Sequence, residues 1–227
     1  MTKPRNPLVV ACDVSDAAVA EGLARRVGPA VSMMKVGLEL FTATGPRGVD
    51  RVLAHCRVFL DLKLHDIPTT VRGAARSAAG LGSSMLTVHA LGGPDMVRAA
   101  VAGVEEGAME AGMDPPKVVA VTVLSSLAEA AGASPASLAF EAVEAGAAGA
   151  VVSGHDVGTV REALGEEPIL VVPGIRPTGQ DTDDHARVLT PAEALEAGAD
   201  YLVVGRPVTE APDPRAAAEA ILRSFGG

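Results

Sequence analysis

The chain has 227 residues, 48% of them apolar, with a formal net charge of −9 at pH 7 and two cysteines. That apolar content excludes a disordered chain, and the length allows one sizeable core in one domain or two. The acidic balance leaves no basic stripe for a nucleic-acid backbone, although a small anion could still sit in a local basic pocket.

Cys12 and Cys56 supply neither a disulfide framework nor metal-ligand spacing, and both are expected reduced near the core. The opening MTKPRN leads straight into a strand-like run. With no signal peptide read there and no apolar stretch long enough to span a bilayer, the expected location is cytoplasmic, without membrane partners.

Along the chain, short apolar runs at 8–14, 31–37, 58–64, 85–89, 118–124, 149–153, 169–172 and 201–204 are predicted strands. Helical spacing occupies 16–27, 94–111, 137–145, 159–164 and 191–197, and a last helix covers 214–225. Near-continuous apolar strands alternating with helices predict a parallel sheet covered on its outer face. The pattern AGA then strand occurs twice, at 145–147 and 197–199, with Gly146 and Gly198 as left-handed helix stops; a related Gly80–Gly82 stretch precedes the strand at Met85. A doubly wound open sheet would carry a Gly-rich phosphate turn after its first strand. Here the first strand ends in Cys12-Asp13-Val14-Ser15. The expectation is an α/β fold, a (β/α)8 TIM barrel, forming one catalytic domain over 1–227.

The stretch FLDLKLHDIPTTV, residues 59–71, concentrates the chemistry. Strand alternation puts Asp61 and Lys63 on one face and Leu60, Leu62 and Leu64 on the other. Asp66 follows the strand, just before Ile67-Pro68, where the chain turns into a helix. Opposite charges interrupting an apolar strand are a structural ion pair or a functional site, and packing alone would favour apolar residues there.

Barrel sites lie at the C-terminal strand ends. The polar residues there are Asp13, Lys35, Asp61, Lys63, His89, Thr122, Ser125, Ser153, the segment 173–176 and Gly205-Arg206. The segment 173–190, PGIRPTGQDTDDHARVLT, has no regular periodicity and is expected to be a lid. With Arg176 after the seventh strand and Arg206 after the eighth, the barrel phosphate position is occupied, implying a phosphorylated substrate. His55 is expected at the surface near a helix end, and His89 as a satisfied core residue.

The motifs DLKLHDIPTT (61–70), TVHALGG (87–93), VTVLSS (121–126), PGIRP (173–177) and VVGRPV (203–208) stand at successive strand ends. In that order and spacing the chain resembles the orotidine 5′-phosphate decarboxylase family over essentially its full length. The resemblance implies a cofactor-independent, metal-free decarboxylase of pyrimidine nucleotide synthesis, acting on a small nucleotide as a homodimer. It implies that Lys35, Asp61, Lys63 and Asp66 form an alternating charged array, with Asp66 supplied by the partner subunit. Lys63 would protonate C6 of the pyrimidine, while Asp13 and Lys35 would hold the ribose hydroxyls. Ile67 and Thr70 would also cross the interface to the substrate. Ser125 would contact the pyrimidine amide, and Pro173, Arg176, Gly205 and Arg206 would line the phosphate side. His185 stands where bacterial members commonly carry Gln, and Thr69 where Asn is common.

The chemistry is consistent with that assignment. Loss of CO2 from C6 leaves a carbanion with little resonance help, so preorganised charge must stabilise it. Two other readings compete. Sister enzymes of the same barrel group, such as hexulose-phosphate synthase, share Asp-x-Lys-x-x-Asp but bind Mg²⁺ through an acidic residue on the second strand. Lys35 stands near the end of that strand here, and Glu39 is the nearest acidic residue. A non-catalytic nucleotide sensor on the same fold would not need the proton donor and its flanking carboxylates.

Overall fold

The strands of this chain are apolar over most of their length, and the structure, a computed structural model, pairs them in a closed parallel barrel ordered β1 to β8. It describes residues 4–122, 133–176 and 189–225. The elements are β1 (Leu8–Cys12), α1 (Ala17–Val27), β2 (Met33–Gly37), α2 (Leu38–Thr44), α3 (Pro46–Leu53), β3 (Val58–Leu64), α4 (Pro68–Ala79), β4 (Met85–His89) and α5 (Gly93–Ala111). There follow β5 (Lys117–Val121), α6 (Pro135–Glu144), β6 (Gly149–Val151), α7 (Val157–Leu164), β7 (Ile169–Pro173), α8 (Pro191–Glu196), β8 (Tyr201–Val204), α9 (Arg206–Thr209) and α10 (Pro214–Arg223). Closure comes from β1, which pairs with both β2 and β8.

Local sequence starts the helices. Asp16 caps α1, its Oδ1 accepting the Ala18 and Val19 amides at 2.7 and 3.0 Å. Thr190 and Glu193 form a capping box on α8. Proline in the first turn of α3, α4, α5, α6, α8 and α10 fixes φ where no amide bond is needed. Gly146 and Gly198, at φ 100° and 108°, stop α6 and α8 in the left-handed region, as their position in the repeat predicted. In the related earlier stretch, Gly82 takes that conformation, at φ 74°.

Strand alternation builds two apolar layers. Val9, Ala11, Met33, Phe59, Met85, Val119, Ile169, Val171 and Val203 fill the barrel interior. The other strand face, including Leu8, Met34, Leu60, Leu86 and Leu170, packs with the helices. The inner layer fills the barrel as a packed core rather than a pore.

The strands over 58–64, 85–89 and 201–204 coincide with expectation, whereas several others are shorter. β1 stops at Cys12, β2 starts at Met33, and β6 stops at Val151, because ladder pairing ends there. Two helices in the segment 38–53 escaped the sequence reading. Gly45, at φ 61°, divides that segment into two short pieces, with Pro46 opening the second.

Candidate active site

Inward-facing positions recur every second residue, and at the C-terminal end of β1 to β4 they change from apolar to polar. Ala11 is followed by Asp13, Met33 by Lys35, Phe59 by Asp61, and Met85 by Thr87 and His89. The barrel stagger brings these positions together. Lys35 pairs in register with Phe59, and its ammonium reaches Asp61 two residues further along.

Asp61 is the hub. Its Oδ2 lies 2.7 Å from Lys63 Nζ and 3.3 Å from Lys35 Nζ. Lys35 Nζ also lies 3.3 Å from Asp13 Oδ1. Asp61 Oδ1 accepts the Thr87 hydroxyl at 2.9 Å. The residue is only 7% exposed, so burial pushes its carboxyl pKa up, but Lys35, Lys63 and the Thr87 hydroxyl outweigh that and hold it below the ordinary range. Lys35 has no room to spare, since a Cβ added at Gly37 would stand 3.2 Å from its ammonium. The sequence reading passed over Gly37, although it is the next inward position on β2.

The predicted sharing of a face by Asp61 and Lys63 holds, but not by regular alternation. Leu60 pairs with Leu86 while Leu64 pairs with Val88, so the register of β3 against β4 slips between them. Lys63 takes up the slip at φ 50°, the only non-glycine residue at positive φ among the described residues. Leu62 and Leu64 still pack with the outer core. Thr87, which sequence reasoning quoted in a motif but assigned no role, is fully buried and accepts the Lys63 amide at 2.7 Å. Its signal was its place in the inward series between Met85 and His89.

Other expected residues are distributed around the same rim. Asp66 is exposed, makes no ion pair within the described chain, and accepts the Ile67 amide. Residues 65–70 are all exposed, including Ile67 at 66% and Thr70 in the first turn of α4. Pro173 ends β7, with Arg176 just beyond it. Gly205 caps α9 and Arg206 opens it, exposed. β7 and β8 are paired neighbours, which puts both arginines on one sector of the rim. Ser125, His185 and most of the expected lid lie outside the described residues.

Two rim residues serve local structure instead. Thr122 donates to the Val151 carbonyl and Ser153 to Asp156. His89 is buried, accepts the Leu91 amide at 3.3 Å and stacks on His65 at 5.2 Å. Burial, His65 and Lys63 together lower its pKa. His55 lies half-buried after α3, near Glu21. Among the described residues, no group of three or more His, Cys, Asp or Glu side chains is gathered as a metal site requires, and no helix is long and apolar enough to cross a membrane.

A closed (β/α)8 barrel with a linked cluster of charged side chains, Asp13, Lys35, Asp61 and Lys63, at its C-terminal rim is the architecture of a barrel enzyme. A family profile described as Orotidine 5′-phosphate decarboxylase / HUMPS family matches residues 6–221, and the chain belongs to that family. It is 54% identical to the orotidine 5′-phosphate decarboxylase of Anaeromyxobacter dehalogenans, covering 96% of this chain and 98% of that protein. Identity to the Moorella thermoacetica enzyme is 49%, covering 96% and 91%. Among solved structures, the Lactobacillus acidophilus orotidine 5′-phosphate decarboxylase superposes with a TM-score of 0.83 at 36% identity, covering 98% of this chain and all of that one. The Pyrococcus horikoshii OT3 enzyme gives 0.81 at 29% identity, covering 97% and 99%.

Proposed function

We propose that this chain decarboxylates orotidine 5′-phosphate to uridine 5′-phosphate without a cofactor. The observation that carries this reading is one buried carboxylate, Asp61, held between the ammonium groups of Lys35 and Lys63 at the barrel rim. The relatives named above carry the same activity in their names, which favours this reaction over the sister chemistry within the family. Lys35 puts a positive charge on the second strand, where a divalent cation would be repelled.

In the reaction, the C6–carboxylate bond breaks, CO2 leaves, and the electron pair remains on C6. Lys63 stabilises the developing charge and delivers its Nζ proton to C6; water then reprotonates the amine. Asp61 faces the substrate carboxylate, a like-charge repulsion of about 4 kcal/mol at 4 Å and an effective dielectric near 20. That falls short of the roughly 8–23 kcal/mol by which enzymes lower barriers, so the rest comes from Lys63 and from remote binding of phosphate and ribose. Asp13 and Lys35 hold the ribose, and Arg176, Gly205 and Arg206 with Pro173 hold the phosphate. Ser125 and His185 complete the assignment by family resemblance.

The site extends across a two-fold dimer. Asp66, without an ion-pair partner among the described residues, and the exposed Ile67 and Thr70 face the partner's Lys63 site. The pairing of β1 with β8 supports a single domain over 1–227, because dividing the chain would open the barrel. The test is an absorbance assay of purified protein with orotidine 5′-phosphate. Stoichiometric uridine 5′-phosphate formation, unchanged by exhaustive chelation, is expected. No turnover, or turnover only with added Mg²⁺, would overturn the reading.

A further inference from the structure

Thr87 is the one inward-facing hydroxyl of β4 and is 0% exposed. Its single proton goes to Asp61 Oδ1 at 2.9 Å, and one lone pair accepts the Lys63 amide at 2.7 Å. It makes these contacts beside the slip between β3 and β4, where the regular register breaks between Leu60 and Leu64. Lys63 is held there in a left-handed conformation that a side chain with a Cβ rarely adopts. Asp61 Oδ2 faces both ammonium groups, so the bond on Oδ1 fixes the remaining rotation of the carboxylate.

From this geometry we propose that Thr87 is a positioning residue, pinning the Lys63 backbone and the Asp61 carboxylate together so that the ammonium is presented to the reacting carbon. The inference rests on the reading of Lys63 as proton donor given above. Valine has nearly the shape of threonine but no hydroxyl, so a threonine that served only the fold would lose stability on substitution while kcat of the folded protein stayed near wild type. Thr87→Val deletes both bonds, leaving a buried amide and a carboxylate oxygen without partners. Serine keeps the hydroxyl and loses only a methyl.

The experiment compares Thr87→Val, Thr87→Ala and Thr87→Ser with wild type. The alanine variant repeats the deletion should valine not be accommodated. Expected for the two deletions is a fall in kcat on the order of 10- to 100-fold, with KM and uridine 5′-phosphate affinity within about threefold of wild type. Serine should recover most of kcat. Because the Thr87 bond helps hold the Asp61 carboxyl down, the acid limb of the valine variant's pH profile should move upward. Wild-type kcat in the deletions, or a loss that serine does not recover, would overturn the proposal. A crystal structure of the deletion variant gives a readout independent of substrate: Lys63 should leave positive φ or Asp61 should rotate. If wild type fails to turn over orotidine 5′-phosphate, the functional reading fails while this structural result still stands. Unchanged Lys63 and Asp61 geometry overturns the positioning role.

Discussion

Lys63 Nζ sits 2.7 Å from Asp61 Oδ2 on the same strand, with the Lys63 backbone at φ 50° between them. Left-handed backbone at a residue with a side chain costs about 1–3 kcal/mol and persists only where its surroundings over-determine it. The slipped β3 register, the Thr87 hydroxyl and the ion pair with Asp61 are those surroundings. Strain is thus concentrated on the residue assigned to move the proton.

The charge on Asp61 also makes stability depend on pH. Burial raises its pKa, but attraction to Lys35 and Lys63 more than reverses this, leaving the folded-state value below the roughly 3.9 of an unfolded aspartate. Its contribution is therefore present above about pH 4 and lost as pH falls through the folded-state value. Denaturant titrations of wild type and Asp61→Asn from pH 7 to pH 3 should show a gap that is constant at neutral pH and narrows below about pH 4. A gap that widens with acid would contradict the sign.

Cys12 should be inert. Burial, with Asp13 beside it, pushes its thiol up to about 12, and burial raises Cys56 to about 11. At pH 8 both are overwhelmingly thiols, and the thiolate is the reactive form. A disulfide reagent should label native protein negligibly over minutes, and both cysteines in guanidinium. Rapid native labelling would show that the β1 end opens.

The opposite end of the barrel holds a structural charge pair. Arg161, 7% exposed, donates to Asp200 Oδ2 at 2.7 Å and to the carbonyls of Gly165, Pro168 and Gly198. Asp200 also accepts the Leu170 amide at 2.8 Å. Arg161→Leu would strand a buried carboxylate and three carbonyls, costing about 3–5 kcal/mol. Urea denaturation should show this loss, while kcat of the folded fraction stays near wild type.

Close helix packing carries another test. A Cβ at Gly107 would stand 2.1 Å from the Arg76 carbonyl, so α5 lies against the backbone of α4. The exposed Arg72–Glu106 and Arg76–Glu110 pairs across that seam add little. Gly107→Ala must part the helices, at about 1–3 kcal/mol despite better helix propensity. Because α4 begins immediately after Asp66 and Ile67, kcat/KM should fall with the melting temperature. A more stable, fully active variant would show that the seam relaxes freely.

Barrel order, and the rim positions of Asp13, Lys35 and Asp61, were legible because they follow from alternation along buried strands. Lys63 was assigned the right face for an incomplete reason, since a register slip depends on the partner strand and leaves no periodic signal. Thr87 was hidden by its ordinariness, as threonine suits any strand. The helices over 38–53 were missed because each is only about two turns long: α2 buries Leu40 alone, and the single i, i+3 pair Val49 and Val52 of α3 is a brief signal in a segment otherwise broken by glycine and proline. Asp66 showed the reverse limit: among the described residues it has no ion-pair partner, and the role proposed for it involves a second chain.

That second chain gives the last expected outcome. If Asp66 completes the partner's Lys63 site, an isologous dimer holds two shared sites. Lys63→Ala and Asp66→Ala homodimers should each be severely impaired. After subunit exchange, a hybrid has one site carrying both substitutions and one with native Lys63 and native Asp66. Equal random mixing makes about half the dimers hybrids, each with one intact site, so roughly a quarter of wild-type activity should return. The charged groups must act as a unit for this arithmetic to hold, as interdependent catalytic groups do. Exchange demonstrated by mass-tagged subunits with no recovered activity would mean that Asp66 serves its own chain.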